Sequence, residues 1–186
     1  MRRSSNAGLF WPVMIMVTAV DVVTKWFAVN RLPPTHLPHA VLGDWLRFTL
    51  VYNPGAAFGL HVGQYSRWIF TGLTVVALLI LGRLYQSTRP GDVSRTLALA
   101  LVCGGAVGNL IDRVRFTSKG VIDFIDVGLS DSARWPTFNI ADVAVSFGAF
   151  LLAWVLWEED RDAELSAEVA PIVPPSSVPS ESREAS

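Results

Sequence analysis

Four long apolar blocks, separated by short polar connections, dominate the chain. They run over about 9–29, 68–85, 96–112 and 140–157, and each predicts a helix. A block of eighteen residues covers about 27 Å as an α-helix, close to the hydrocarbon thickness of a bilayer. The first block follows Arg2 and Arg3, the opening of a cleavable signal peptide. It is too long for one, carries Asp21 and Lys25, and ends without a small-residue cleavage site, so it reads as a retained span. Pro33, Pro34 and Pro38 break the chain after it. Arg47-Phe48-Thr49-Leu50-Val51-Tyr52 is then β-prone, and Asn53-Pro54-Gly55 closes it as a turn. A small extramembrane strand or hairpin is expected there. Ser87 to Asp92 is a tight polar connection, with Trp68 and Tyr85 at the interfaces. Val114 to Thr137 is a loop too polar for lipid. After Glu158 the chain turns acidic, then rich in Pro, Ser and Ala. The pattern predicts one unit, 1–160, and a disordered tail, 161–186.

Composition sharpens this picture. Of 186 residues 51% are hydrophobic and only 17% charged, with a mean hydropathy of +0.40. Soluble domains carry about a quarter charged residues, so a membrane protein is indicated. A net charge of −1 argues against a nucleic-acid partner. The single cysteine, Cys103, excludes an intramolecular disulfide and reads as a small packing residue beside Gly104. Four spans place both termini on one side. The basic residues outside the spans divide evenly between the two sides, leaving orientation open, although the density of Arg in the 83–95 connection leans toward cytoplasmic termini.

Polar residues inside the apolar blocks need a partner or a purpose. Asp21 and Lys25 lie four apart, acid before base, and share a helix face. They form an internal salt bridge, orient a neighbouring site, or do both. Asn53 opens Asn53-Pro54-Gly55-Ala56-Ala57-Phe58-Gly59, either a plain loop or a place where small side chains admit another backbone. Gly104 and Gly108, with Gly105 between them, have the spacing that lets membrane helices approach. Asn109, Asp112 and Arg113 fall within one turn after them and either anchor the helix end or fix a neighbouring carboxylate. Asn139 and Asp142 have the spacing of a helix capping box, which alone would explain them. Asp123 lies among Val121, Ile122, Phe124 and Ile125, where a lone carboxylate is costly. Asp126 reads as a solvated loop acid.

If Asp123 and Asp142 meet, both cannot ionise comfortably, and the pair holds one proton between them. One carboxylate then takes a proton from water while the other supports the developing oxygen or leaving amine. That is the chemistry of aspartic proteolysis. His36, His39 and His61 make a weak metal signal, and no nucleophile elbow, P-loop or dinucleotide fingerprint is present, so neither metal nor cofactor is expected. Two rivals remain: a non-enzymatic four-helix transporter or scaffold with structural acids, and a lipid-modifying enzyme, for which a phosphate-binding group is wanting.

Five blocks in order resemble the bacterial lipoprotein signal peptidases, the type II signal peptidases: Asp21-Val22-Val23-Thr24-Lys25, Asn53 to Phe58, Gly104 to Arg113, Val121 to Phe124, and Phe138-Asn139-Ile140-Ala141-Asp142. The resemblance covers most of 12–157. It implies an all-α membrane protein of four transmembrane helices, with a small extracytoplasmic β-cradle and periplasmic loop. It places the protein in the bacterial cytoplasmic (inner) membrane, with both termini cytoplasmic and the active site near the outer face. It implies an aspartic endopeptidase acting on diacylglyceryl-modified prolipoproteins, cutting on the amino side of the lipidated cysteine beside membrane lipid, and sensitive to globomycin. By position Asp123 and Asp142 match the catalytic aspartates; Asp21, Lys25, Asn53, Gly105, Asn109, Asp112, Arg113, Asn139 and Ala141 match supporting positions. The 113–123 loop is slightly longer than in many relatives, and the tail has no counterpart in the family's core.

Overall fold

A computed structural model of the chain describes residues 6–55, 63–115 and 120–169. Among them are helices α1 (Ala7–Arg31), α2 (Ser66–Ser87), α3 (Val93–Arg115) and α4 (Ile140–Val169), all four long and apolar enough to cross a membrane. Strands β1 (Pro38–Leu42) and β2 (Leu46–Asn53) follow α1, and β3 (Val121–Ser130) and β4 (Ala133–Arg134) separate α3 from α4. They pair antiparallel in the order β1-β2-β3-β4. The sheet therefore lies at one end of the helices. At the other end Asn6 bonds to Arg89 and Gly91 in the α2–α3 turn, and Arg95 pairs with Glu159.

α3 is the central helix. Thr96, Ala98, Leu99, Ala100, Cys103, Gly104, Gly105, Gly108 and Asp112 are all buried on it. α2, by contrast, buries only Ser66 and turns Trp68, Leu73, Val76, Leu79 and Ile80 outward. Leu78, Leu81 and Tyr85 pack on the core around Phe10 and Leu99, and the apolar face turned outward suits a lipid environment. The glycines of α3 decide how closely its neighbours come. A Cβ on Gly104 would lie 2.9 Å from the Met14 carbonyl oxygen and from Val17 in α1, and one on Gly105 would strike the Ala141 carbonyl oxygen in α4. Gly105→Ala is therefore expected to lower the thermal unfolding temperature in detergent, an overpacking cost of about 1–3 kcal/mol. Gly72→Ala in α2, where nothing lies within 4 Å, should leave it unchanged or slightly raised.

Three differences from the pattern reading have physical causes. The expected 114–137 loop contains the ten-residue β3. Ile122 and Phe124 enter a core with Ala28, Leu32 and Leu50, while Val121 and Asp123 are buried on the opposite face, so no apolar–polar alternation marks the strand. The helix of the fourth span does not stop near 157 but continues to Val169, so residues 161–169 of the expected tail are helical. That stretch is free of Gly and Pro and rich in Ala, Glu and Leu, all good helix formers. Residues 170–186, and the Ala56 to Gly59 block, lie outside the described residues. Finally, Asp126 is buried, 7% exposed, between Thr49 and Arg134.

Candidate active site

β2 carries one extra residue against β3 between Phe48 and Val51, and Thr49 and Leu50 are buried in succession there. Such a bulge re-aims the strand beyond it. The result is that Asn53 pairs with Val121 and its amide donates to Asp123 Oδ2 at 3.1 Å. Asn53 is itself held by the Gly55 N–H, which donates to its Oδ1 at 3.0 Å. Asp123 is 3% exposed.

Asn139 precedes α4 and is fully buried. Its side-chain oxygen accepts the Asp142 N–H at 2.9 Å, and its own N–H donates to Asp142 Oδ2 at 3.0 Å. This reciprocal pair is a capping box, so the structural reading of Asn-x-x-Asp holds in the geometry. It is not the whole story. The Asn139 amide also donates to Asp123 Oδ1 at 2.7 Å, so one residue is bonded to both carboxylates. Asn109 adds a second tie, donating to Asp142 Oδ1 at 2.9 Å and accepting from Asn139 at 3.1 Å.

Beneath the asparagines sits Lys25. Its ammonium pairs with Asp21 and Asp112, each at 2.8 Å, and donates to Asn109 Oδ1 at 2.8 Å. The two acids reach further. Asp21 Oδ1 accepts the Ala141 N–H at 2.9 Å and Asp112 Oδ2 the Ile122 N–H at 3.2 Å, anchoring the residues next to Asp142 and Asp123. Gly108 gives Asp21 its room, because a Cβ there would lie 2.5 Å from Asp21 Oδ2. Gly105 gives α4 its approach at Ala141.

Above this base opens a groove of about 640 Å³, lined by Asn53, Asn109, Arg113, Asp123 and Asp142. Trp135-Pro136-Thr137-Phe138 forms one wall, and Val143, Ser146 and Phe147 continue it along α4. All the residues singled out in the sequence meet here: Asn53, Asn109, Arg113, Asp123 and Asp142 on the groove, and Asp21, Lys25, Gly105, Asp112, Asn139 and Ala141 beneath or beside it. Trp135, Pro136 and Thr137 of the wall were not among them, carrying no charge to single them out.

Burial, and secondly the charge of Asp142, push the Asp123 carboxyl up to about 7. Hydrogen bonds from Asn53 and Asn139 oppose that rise. A carboxyl poised near neutrality in a groove, beside a second carboxylate, can hold a proton or release it during a reaction.

Fold and site together define a multi-pass helical membrane protein with a carboxylate pair in a groove at the sheet end of its helices. Comparison with known proteins narrows this. Residues 13–158 match the family model described as Signal peptidase (SPase) II. The chain is 40% identical over 148 residues to the lipoprotein signal peptidase of Moorella thermoacetica, covering 79% of this chain and 91% of that protein. It is 36% identical over 165 residues to the lipoprotein signal peptidase of Pseudomonas syringae pv. tomato, covering 87% and 94%. A solved bacterial membrane enzyme superposes with a TM-score of 0.76 at 27% identity, covering 87% of this chain and 95% of that one. The chain belongs to the signal peptidase II family and is a protease.

Proposed function

We propose that the protein is an intramembrane aspartic endopeptidase that removes the signal peptide from diacylglyceryl-modified prolipoproteins, cleaving on the amino side of the lipidated cysteine. The observation that carries the reading is Asn139, which bonds both carboxylates and so presents Asp123 and Asp142 to one groove. Asp123 holds the proton of the pair below about pH 7. Asp142 takes a proton from water as its oxygen attacks the scissile carbonyl carbon, and Asp123 gives its proton to the carbonyl oxygen. Collapse of the tetrahedral species breaks the C–N bond, with the proton from Asp142 passing to the leaving amine and one hydroxyl proton of the diol returning to Asp123. Asn53, Asn109 and Asn139 hold the carboxylates in register. Arg113 supplies positive charge on the groove, and Asp21, Lys25, Gly105, Asp112 and Ala141 fix the base on which the pair stands.

The site lies at the outer face of the bacterial cytoplasmic membrane, with both termini cytoplasmic and residues 1–160 as the peptidase unit. The apolar wall along Val143 and Phe147 suits the acyl chains of the substrate and membrane lipid, and globomycin-type inhibitors occupy the same groove. The test is cleavage of lipidated prolipoprotein by the purified chain in micelles, read as a function of pH. Asp123 must be protonated, so kcat/KM should fall on the alkaline side with a midpoint near its value of about 7. A rate still rising at high alkaline pH removes Asp123 from the proton-donor role. An intact prolipoprotein at every pH removes the function.

A further inference from the structure

We infer that Arg134 is a positioning residue for substrate binding: one guanidinium ties β3 and the β1–β2 turn together and so fixes the groove wall that begins at the next residue. The inference rests on the peptidase reading of the groove. Asp123 and Asp126 lie three apart on β3 and therefore point to opposite faces of the strand. Asp123 faces the groove. Asp126 faces away, where Thr49 Oγ1 donates to its Oδ2 at 2.8 Å and Arg134 Nε donates to its Oδ1 at 2.5 Å. The same guanidinium donates through Nη2 to the Asp126 carbonyl oxygen at 3.0 Å and through Nη1 to the Asp44 carbonyl oxygen at 2.8 Å. Three donors in one plane thus serve three acceptors on two segments, a geometry that the single nitrogen of a lysine cannot reproduce.

The wall starts immediately after Arg134. The Trp135 N–H donates to the Val127 carbonyl at 2.8 Å. At the far end the Phe138 N–H donates to the Ile125 carbonyl at 3.0 Å, and the Phe138 carbonyl accepts from Phe124 and Ile125. That far tether is backbone alone and runs straight into Asn139, so the carboxylate pair keeps its geometry whatever happens at Arg134. The near end adds the three bonds of the Arg134 side chain to its backbone bond from Trp135 to Val127. Loosening the near end therefore widens the groove where the substrate chain lies and leaves the reacting groups in place.

The experiment compares wild type, Arg134→Lys, Arg134→Gln and Thr49→Val in micelles, with the mole fraction of lipidated prolipoprotein varied and thermal unfolding followed in parallel. Arg134→Lys keeps a cation beside Asp126, so it remains folded even where Arg134→Gln does not. It is expected to raise KM about tenfold, the scale of losing a charged hydrogen bond, with kcat within about twofold and the unfolding temperature close to wild type. Thr49→Val should shift KM in the same direction by less. An unchanged KM for Arg134→Lys overturns the inference, as does a kcat that falls together with the unfolding temperature at constant KM. A wild-type chain that leaves the prolipoprotein intact overturns the peptidase reading itself, and the two failures are therefore told apart.

Discussion

Replacing Asp123 with asparagine is expected to lower cleavage by a factor on the order of 10³ and, in the same molecule, to erase a pH-dependent loss of stability. The first effect follows from the proton that Asp123 holds beside Asp142. The second follows from linkage. The folded-state value of about 7 lies above the roughly 3.9 of an unfolded aspartate. Between about pH 4 and 7 the folded state therefore holds a proton that the unfolded state has released, and stability falls as pH rises through that window. Asparagine carries no such proton, so the variant gains on the wild type across the window and holds the gain above it. Asp142→Asn makes a complementary test. Its remaining oxygen still accepts the Asn139 N–H, so a residue serving only as a helix cap would leave cleavage normal. Turnover within tenfold of wild type by either variant would discard the carboxylate pair.

Lys25→Met is expected to be the most destabilising single change in the chain. The ammonium is 2% exposed and sits between Asp21, fully buried, and Asp112. Removing it leaves two buried carboxylates facing each other without a counter-charge, a change that costs about 3–5 kcal/mol in comparable buried pairs. For a domain of this size that corresponds to about 6–20 °C in unfolding temperature. Adding Asp112→Asn should restore part of the loss, since an asparagine oxygen still accepts the Ile122 N–H while one negative charge is gone. Thermal unfolding of the single and double variants in detergent measures both. No recovery in the double variant would mean that packing around the lysine stem, not charge, sets the cost.

The helices were legible because hydropathy is a local property: 9–29 and 68–85 expand only to Ala7–Arg31 and Ser66–Ser87. The local pairs were legible too. Asp21 with Lys25, and Asn139 with Asp142, are spaced for contact before any fold is known. What spacing could not supply was the tie between distant elements. Lys25 reaches Asn109 across 84 positions, Asn109 reaches Asp142 across 33, and the Ala141 N–H reaches Asp21 across 120. Asp126 was misread as solvated for this reason, since Thr49 stands 77 positions before it and Arg134 belongs to the following strand. The strand that carries Asp123 was hidden differently, by being covered on both faces.

The Asp21–Lys25 pair has a consequence for biosynthesis. α1 leaves the ribosome long before Asn109 and Asp112 exist, yet it already carries an acid and a base four residues apart on one face. The nascent segment can thus enter the bilayer as a self-neutralised dipole, bearing no net ionic burden while its later partners are made. In the folded chain the ammonium has its Asp21 partner together with Asp112 and Asn109 of α3. The framework of the groove thus stands on a charge already balanced within its own helix.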